Sequence, residues 1–367
     1  MEKFFSSQPK QNLTMGMEFE CFLWDNENDG LLQDEKTIRD ILNELPKEIT
    51  RDYYPYQLEV RTGVHKNSES LIKEFIKFLK MSEDVCNKYG VRIIPMSWVG
   101  HSEMFCGVHF HFRNGNNNNY EKTMFNVYPF LLALTDCFKH SPQDLNNLTY
   151  RFSNSQHCQF PRITEMVRSQ RYSDIAVNRH RENTRHRLKS EQTIEMRTFD
   201  VPYNIEYLSN LIRLLFKTMQ YVNMKEKLCG DISKSNQKLR ETRDEIKSFR
   251  EGYNYFFDKH NYEVYDWLCD KFKIKKLKVP FTMGIEEPYN YIIEKKKKDI
   301  YEFLGIKNPK KEVKPKKKVV KTREDIAHTP YGDYASCIDD SGEGEIWREG
   351  NGHNTEVAEE MHRMEEA

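Results

Sequence analysis

The sequence predicts an α+β fold, in which a curved antiparallel sheet carries a polar, metal-binding inner face and helices cover the other face. Two patterns support it: short segments alternate polar and apolar residues, as strands do, and longer segments repeat apolar residues at helical spacing. A chain of 367 residues with a hydrophobic fraction of 38% is sufficient for one large catalytic domain with appendages.

The predicted elements alternate along the first part of the chain. We expect strands at about 14–24, 56–62 and 91–95, a strand with two histidines after them, and a last strand that ends at Asp200. We expect helices at about 34–44, 68–89, 121–138 and 205–228. The second helix has one apolar stripe, which we expect to pack on the sheet: Leu71, Phe75, Phe78 and Leu79.

Four strand-like segments carry two polar residues separated by one apolar residue. The pairs are Glu18 and Glu20, Glu59 and Arg61, His109 and His111, and Glu195 and Arg197. Because side chains alternate between the two faces of a strand, each pair should project to one face while Phe19, Phe110 and Met196 project to the other. Carboxylates and imidazoles on one face favour divalent cations, and ATP-bound Mg²⁺ is a natural occupant.

A single pair of this kind is also typical of the solvated face of an amphipathic strand. Four pairs of these residue types beside bulky apolar neighbours favour a functional site over that structural explanation. The sequence has no glycine-rich phosphate loop of the Walker or Rossmann type, so metals and arginines would hold a nucleotide.

Residues 12 to 215 resemble the carboxylate-amine ligases of the glutamine synthetase and glutamate-cysteine ligase superfamily, most closely the phage-type amide-bond-forming ligases. The motifs that carry the resemblance are Glu18-Phe-Glu20, Gly107-Val-His109-Phe-His111 and Glu195-Met-Arg197-Thr-Phe-Asp200. The resemblance implies a glutamine synthetase-like catalytic domain, which we expect at 12–228.

The resemblance also implies roles for single residues. Metal ligands would be Glu18, His109 and Glu195 near the transferring phosphate, and Glu20 and Glu59 near the substrate, with Asp52 as a further ligand. Nucleotide contacts would be His111, Arg179, Arg185 and Arg197. Arg197, Glu59 and Arg185 would be the catalytic residues, and Arg197 is the first choice for neutralising the phosphoryl charge.

The implied reaction has two steps and uses ATP with two or three Mg²⁺ ions, or Mn²⁺. ATP phosphorylates a carboxylate to an acyl phosphate, and an amine then displaces phosphate to leave an amide. The general base is open among His111, Asp200 and Glu165, and further substrate contacts are expected at Ser153, Arg162 and Arg168. The small-molecule or peptide carboxylate, the amine and any homo-oligomer stay open.

Two other functions are compatible with the same residues. His109 and His111 with a carboxylate could bind iron or zinc in an oxygenase or hydrolase, although such a site does not explain the four polar residues Glu18, Glu20, Glu59 and Arg197 together. Alternatively, the chain is an inert scaffold or binding protein of the same fold.

Composition predicts the remaining organisation. We expect an accessory helical, aromatic-rich region at 229–305, then a Lys-rich linker and an acidic disordered tail at 306–367. A formal net charge of zero argues against nucleic acid as the partner. The eight scattered cysteines, the absence of a targeting segment and the absence of a roughly 20-residue apolar span predict a cytoplasmic protein away from membranes, in the host cytoplasm if phage-encoded.

Overall fold

The computed structural model describes residues 1–52, 54–100, 105–114, 120–142, 175–178, 193–223, 228, 260–278 and 288–307. These residues belong to one compact unit, Met1–Val319. Apart from residues 306 and 307, the predicted linker and tail lie outside the described residues.

Among the described residues, eight strands form one antiparallel sheet with the order β3-β4-β1-β6-β8-β7, and β2 and β5 pair with β1 as well. Their bounds are β1 Leu13–Asp25, β2 Gly30–Leu31, β3 Ile49–Arg51, β4 Gln57–Arg61, β5 Val91–Ile94, β6 Gly107–Asn114, β7 Ile175–Asn178 and β8 Thr193–Asp200. The α+β class and the antiparallel pairing predicted from the sequence are confirmed. The 13-residue β1 is the central element, because four other strands pair with it.

Helices α1 to α7 accompany this sheet, together with a 3-10 turn at Glu2–Phe4. Their bounds are α1 Glu35–Glu44, α2 Ser68–Lys88, α3 Tyr120–Cys137, α4 Ile205–Tyr221, α5 Asn261–Phe272, α6 Pro288–Lys297 and α7 Ile300–Phe303. Four of them begin at an N-cap residue whose side chain accepts hydrogen bonds from the first turn: Asp34, Asn67, Asn204 and Asp299.

The predicted helix at 205–228 is too long at its end, since α4 stops at Tyr221. Val222 leaves the helical conformation to form a β-bridge with Phe5, and the backbone N–H of Asn223 donates to the carbonyl of Phe4 at 2.7 Å. A tertiary contact with the start of the chain therefore ends this helix.

The helices lie against the apolar face of the sheet. Helix α2 contacts β1, β4 and β5, and α3 contacts β7 and β8. The rings of Phe19 and Phe75 lie 4.8 Å apart between β1 and α2, and those of Phe110 and Phe199 lie 5.6 Å apart between β6 and β8. The predicted apolar stripe of α2 is buried as expected.

Parts of the predicted accessory region pack on the same body. Helix α5 contacts α3 and α4. The hydroxyl of Tyr291 on α6 accepts from the backbone N–H of Ser97 at 3.0 Å, and Lys296 forms an ion pair with Asp29 at 3.0 Å.

The cysteines of the described residues are free and buried: Cys21, Cys86, Cys106, Cys137 and Cys269. Burial raises the pKa of the Cys106 thiol well above its usual value, so the thiol beside the histidine strand behaves as a small buried hydrophobe rather than as a nucleophile. Among the described helices, none combines the length and the apolar character needed to cross a bilayer.

Glu83 on α2 should make folding stability depend on pH. Its carboxyl is buried and accepts from the Ile93 backbone N–H at 2.9 Å, and burial raises its pKa from 4.5 to about 7. Between these values the folded state retains a proton that the unfolded state releases, so the contribution of Glu83 to stability falls as pH rises. We expect Glu83→Gln to remove a pH-dependent component of roughly 3 kcal/mol from the free energy of unfolding.

Urea denaturation between pH 4.5 and 8 measures this component. The exposed Glu302, replaced by Gln, is the matched control and should leave the pH profile unchanged. Identical profiles for wild type and Glu83→Gln would contradict the prediction.

Candidate functional site

The registers of β1, β4, β6 and β8 bring the four predicted polar pairs together. Glu18 lies opposite His109 on β6 and opposite Arg61 on β4, and Glu20 lies opposite Glu59. His111 lies opposite Glu195 on β8. The apolar neighbours Phe19, Phe110 and Met196 are fully buried, as the alternation of side chains requires.

Glu18, His111 and Glu195 form a compact group on this polar face. One ligand atom from each lies within 4.8 Å of the others, and Glu18 Oε2 is 3.3 Å from His111 Nε2. His111 Nε2 is buried, and no hydrogen bond of good geometry satisfies it. Two carboxylates and an imidazole with an unsatisfied nitrogen fit a divalent cation such as Mg²⁺ or Mn²⁺.

The other ring nitrogen of His111, Nδ1, lies 3.5 Å from Thr193 Oγ1, and this contact orients the ring. Burial favours neutral imidazole, but the charge of Glu18 outweighs it and raises the pKa of His111. The same interaction acts on Glu18: burial would raise its pKa, but His109 and His111 hold the pKa of this carboxyl below its usual value.

His109 borders the three-residue group. Its Nδ1 is 3.4 Å from Glu18 Oε2 and 3.9 Å from Glu195 Oε1, and its Nε2 is 3.4 Å from Glu20 Oε1. Burial, reinforced by the charge of Arg197, lowers the pKa of His109 to about 4, so the ring is neutral at physiological pH. The assignment of His109 to metal and of His111 to nucleotide therefore stays a prediction.

Glu20 and Glu59 are buried beside this group. Glu20 Oε2 accepts from the Gly107 backbone N–H at 2.7 Å, and Glu59 Oε2 accepts from Thr50 Oγ1 at 3.3 Å and pairs with Arg61. Burial and the charge of Glu18 raise the pKa of Glu59 to about 7, although Arg61 opposes them. The crowded negative charge would be relieved by a cation.

Arg197 contributes a guanidinium to the polar face. Its Nη1 forms an ion pair with Glu195 Oε1, and its side chain is about one-quarter exposed, at 26%. Because Phe110 faces Met196 and Val108 faces Phe199, β8 has one extra residue opposite His109. This β-bulge sets Arg197 beside the imidazoles and carboxylates.

Asp200 is placed differently from the other predicted residues. Its buried carboxylate accepts from the His140 backbone N–H at 3.1 Å and from Ser141 Oγ at 2.7 Å, and so fixes the segment after α3. Asp52 follows β3 and its charge contributes to the raised pKa of Glu59. Asp200 as general base and Asp52 as ligand both stay predictions.

Several predicted residues lie outside the described residues: Arg179, Arg185, Ser153, Arg162, Glu165 and Arg168. Sequence reasoning missed the two threonines that support the site, Thr50 and Thr193. Thr193 could have been found, since it precedes Glu195 by two residues and so belongs to the same face of β8. Thr50 lies on the three-residue β3, for which alternation is too short to be a signal.

Comparison with protein-family models and with curated proteins gives no match. Solved structures give matches of low identity. A bifunctional glutathione synthetase from Pasteurella multocida is 14% identical, with a TM-score of 0.44 and coverage of 80% of this chain and 48% of that chain. Glutamate–cysteine ligase from Francisella tularensis in complex with AMP is 12% identical, with a TM-score of 0.45 and coverage of 81% and 84%.

A third match is the ligase PafA in complex with the prokaryotic ubiquitin-like protein Pup, at 12% identity, a TM-score of 0.42 and coverage of 79% and 63%. The chain thus spans about half the length of the first protein, at 48%, and less than two-thirds of PafA. All three are named as ligases or synthetases. At these TM-scores the matches carry no argument about activity, which has to come from the polar face itself.

Measurements of metal binding can distinguish the roles of His109 and His111. Because His111 Nε2 is a buried nitrogen that no hydrogen bond of good geometry satisfies, whereas both ring nitrogens of His109 lie 3.4 Å from carboxylate oxygens, His111→Gln should weaken Mn²⁺ binding at least about tenfold and by more than His109→Gln does. Mn²⁺ titration followed by electron paramagnetic resonance measures both affinities. Exposed Glu27, replaced by Gln, controls for the loss of one polar group. A larger loss in His109→Gln would support the assignment made from the sequence and contradict this prediction.

Proposed function

We propose that this protein is an ATP-dependent carboxylate-amine ligase that forms an amide bond through an acyl phosphate. The observation that carries the proposal is the group of Glu18, His111 and Glu195, whose ligand atoms lie within 4.8 Å, with Arg197 in contact with Glu195. Such a face combines sites for cations with a fixed positive charge, and phosphoryl transfer depends mainly on positioning and charge neutralisation.

The three-residue group would hold the divalent cation through two carboxylate oxygens and His111 Nε2. When bound, Mg²⁺ or Mn²⁺ would neutralise oxygens of the transferring phosphate. Thr193 would keep His111 in the orientation that presents Nε2. Glu20 and Glu59 would serve a second cation on the side of the substrate carboxylate, where burial and the charge of Glu18 raise the pKa of Glu59.

Arg197 would supply the permanent cation that meets the phosphoryl group. Its guanidinium is planar, carries five N–H donors and pairs with Glu195 through Nη1, and this fork geometry suits phosphate oxygens. Arg179 and Arg185 are proposed to contact the nucleotide directly, and His111 to act on it through the cation that it would hold, while Arg185 and Glu59 assist catalysis. Because the cation would occupy His111, Asp200 and Glu165 are the remaining candidates for the general base.

The proposal includes the resemblance to phage-type ligases. It also includes a catalytic domain at 12–228, an accessory region at 229–305, and a linker and tail at 306–367. So are a cytoplasmic location and substrates consisting of a small-molecule or peptide carboxylate and an amine. The proposal includes no membrane or nucleic-acid partner.

An oxygenase or hydrolase is the less favoured enzyme. A non-haem iron site of the facial type uses two histidines and one carboxylate, and Glu18 Oε2 lies 3.4 Å from His109 Nδ1 and 3.3 Å from His111 Nε2, but Glu20, Glu59 and Glu195 add further carboxylates to this face. Arg197 and Glu59 also have no part in such a reaction. An inert scaffold would have the same fold but would not catalyse a reaction. A kinetic test distinguishes it from the ligase.

Phosphate release from ATP tests the ligase. Purified protein with Mg²⁺ and ATP is incubated with pools of amino acids, di-acids and amines, and we expect release that requires both an acid and an amine. Arg197→Ala should lower this rate by about 10²–10³-fold, because a preorganised charge at the transferring group is lost, and Arg197→Lys should lower it less.

Exposed Arg39 on α1, replaced by Ala, is the matched control and should retain the wild-type rate. Rates that are equal in Arg197→Ala and wild type would contradict the role of Arg197. The absence of any acid-dependent release, with Mn²⁺ still bound, would contradict the ligase and favour the scaffold.

A further inference from the structure

A second chemical constellation lies at the start of α2, on residues that the proposed ligase does not use. Ser70 Oγ is 2.9 Å from His65 Nδ1, and His65 Nε2 is 2.8 Å from Glu74 Oε2. The side chain of His65 is 14% exposed and that of Glu74 is 30% exposed. A hydroxyl, an imidazole and a carboxylate thus form a continuous hydrogen-bonded chain of partly exposed side chains.

The hydrogen bonds define the direction in which a proton would move. An ionised carboxylate can only accept a hydrogen bond. In the neutral form of the His65 ring, the proton is therefore on Nε2, which donates a hydrogen bond to Glu74. Its Nδ1 then has a free lone pair, and the only hydrogen bond available between it and Ser70 is one that the hydroxyl donates. Ser70 Oγ also lies 3.1 Å from the Asn67 carbonyl, which competes for the same proton.

The surrounding backbone holds these groups in place. His65 exchanges two backbone hydrogen bonds of 2.8 Å with Met15 of β1, so the base is fixed to the sheet. Glu74 Oε2 also accepts from the Gly63 N–H at 2.6 Å, and Asn67 Oδ1 accepts from the Ser70 N–H at 2.9 Å. These contacts reduce the reorganisation that a reaction would need.

The position of Ser70 in the helix is also suited to nucleophilic chemistry. Ser70 lies in the first turn of the 21-residue helix α2. Backbone N–H groups and the positive end of the helix dipole favour negative charge there, as it develops on a carbonyl oxygen under attack. A nucleophile within reach of a base, and a base oriented by a third group, is the geometry of serine acyl transfer.

We propose that Ser70, His65 and Glu74 form a second catalytic centre, which hydrolyses carboxylic esters through an acyl-serine. Ser70 Oγ bonds to the ester carbonyl carbon while its proton passes to His65 Nδ1. The bond from that carbon to the leaving oxygen breaks, and the leaving oxygen takes the proton. Water, deprotonated by the same nitrogen, then attacks the acyl-serine, and the acid and free Ser70 are released. Glu74 keeps the ring oriented and balances its positive charge.

A fluorophosphonate probe tests this centre in the full-length protein, with the labelled peptide located by mass spectrometry. We expect labelling on Ser70, none in Ser70→Ala, and a labelling rate at least about 100-fold lower in His65→Gln. Ser68→Ala removes a hydroxyl from the same helical turn and is the matched control, whose rate should equal that of wild type. With p-nitrophenyl acetate, a burst of one phenolate per chain should accompany an acetylated Ser70.

Two results would overturn the centre: wild-type protein in which Ser70 stays unlabelled, or equal labelling rates in wild type and His65→Gln. If Ser70→Ala fails to fold, as thermal unfolding would reveal, Ser70→Cys and Ser68→Cys replace it. The thiol at position 70 should be alkylated by iodoacetamide at pH 7 at least about tenfold faster than the one at position 68, because only the former has His65 as its base. Equal rates would also refute the proposal.

Discussion

The pairing register of β1 with β4 and β6 is the constraint on which the rest of this structure depends. Glu18 and Glu20 face His109 and Glu59 only because β1 lies between these two strands in this register. A shift of one residue would turn the carboxylates toward α2 and expose Phe19. Burial of Phe19 against Phe75 therefore stabilises the fold and arranges the polar face at the same time.

Burial of carboxylates on the polar face costs stability, and this cost indicates that the face has a function. Its carboxylates are taken out of water and crowded together, and their pKa values diverge: that of Glu18 is held low by two histidines, whereas that of Glu59 is raised to about 7. A core built for stability alone would gain from apolar residues in these positions. The arrangement is one that becomes favourable when cations enter, which ties the stability of the centre to ligand binding.

Much of the sheet could be predicted, because alternation over five or more residues specifies both strand and face. Strands β1, β4, β6 and β8 follow from their polar pairs, and α2 follows from its stripe. The two-residue β2 and the three-residue β3 are too short to give a pattern. The end of α4 depends on a bridge with Phe5, far away in the sequence.

The sequence predicts which residues form the candidate site better than it predicts the contacts between them. Alternation shows that His109 and His111 share a face, but which imidazole meets which carboxylate depends on the strand across from each and on the bulge in β8. The Ser70 centre was missed for a similar reason. Ser70 and Glu74 are four residues apart on a helix, a spacing visible in the sequence, but the loop that brings His65 between them is not.

Anomalous diffraction from crystals grown with Mn²⁺ and a non-hydrolysable ATP analogue tests the central claim most directly. We expect a manganese peak at roughly 2.0–2.4 Å from oxygens of Glu18 and Glu195 and from His111 Nε2, with a phosphate oxygen of the analogue in the same coordination shell. A polar face without manganese, or manganese bound elsewhere while the nucleotide lies away from Arg197, would contradict it.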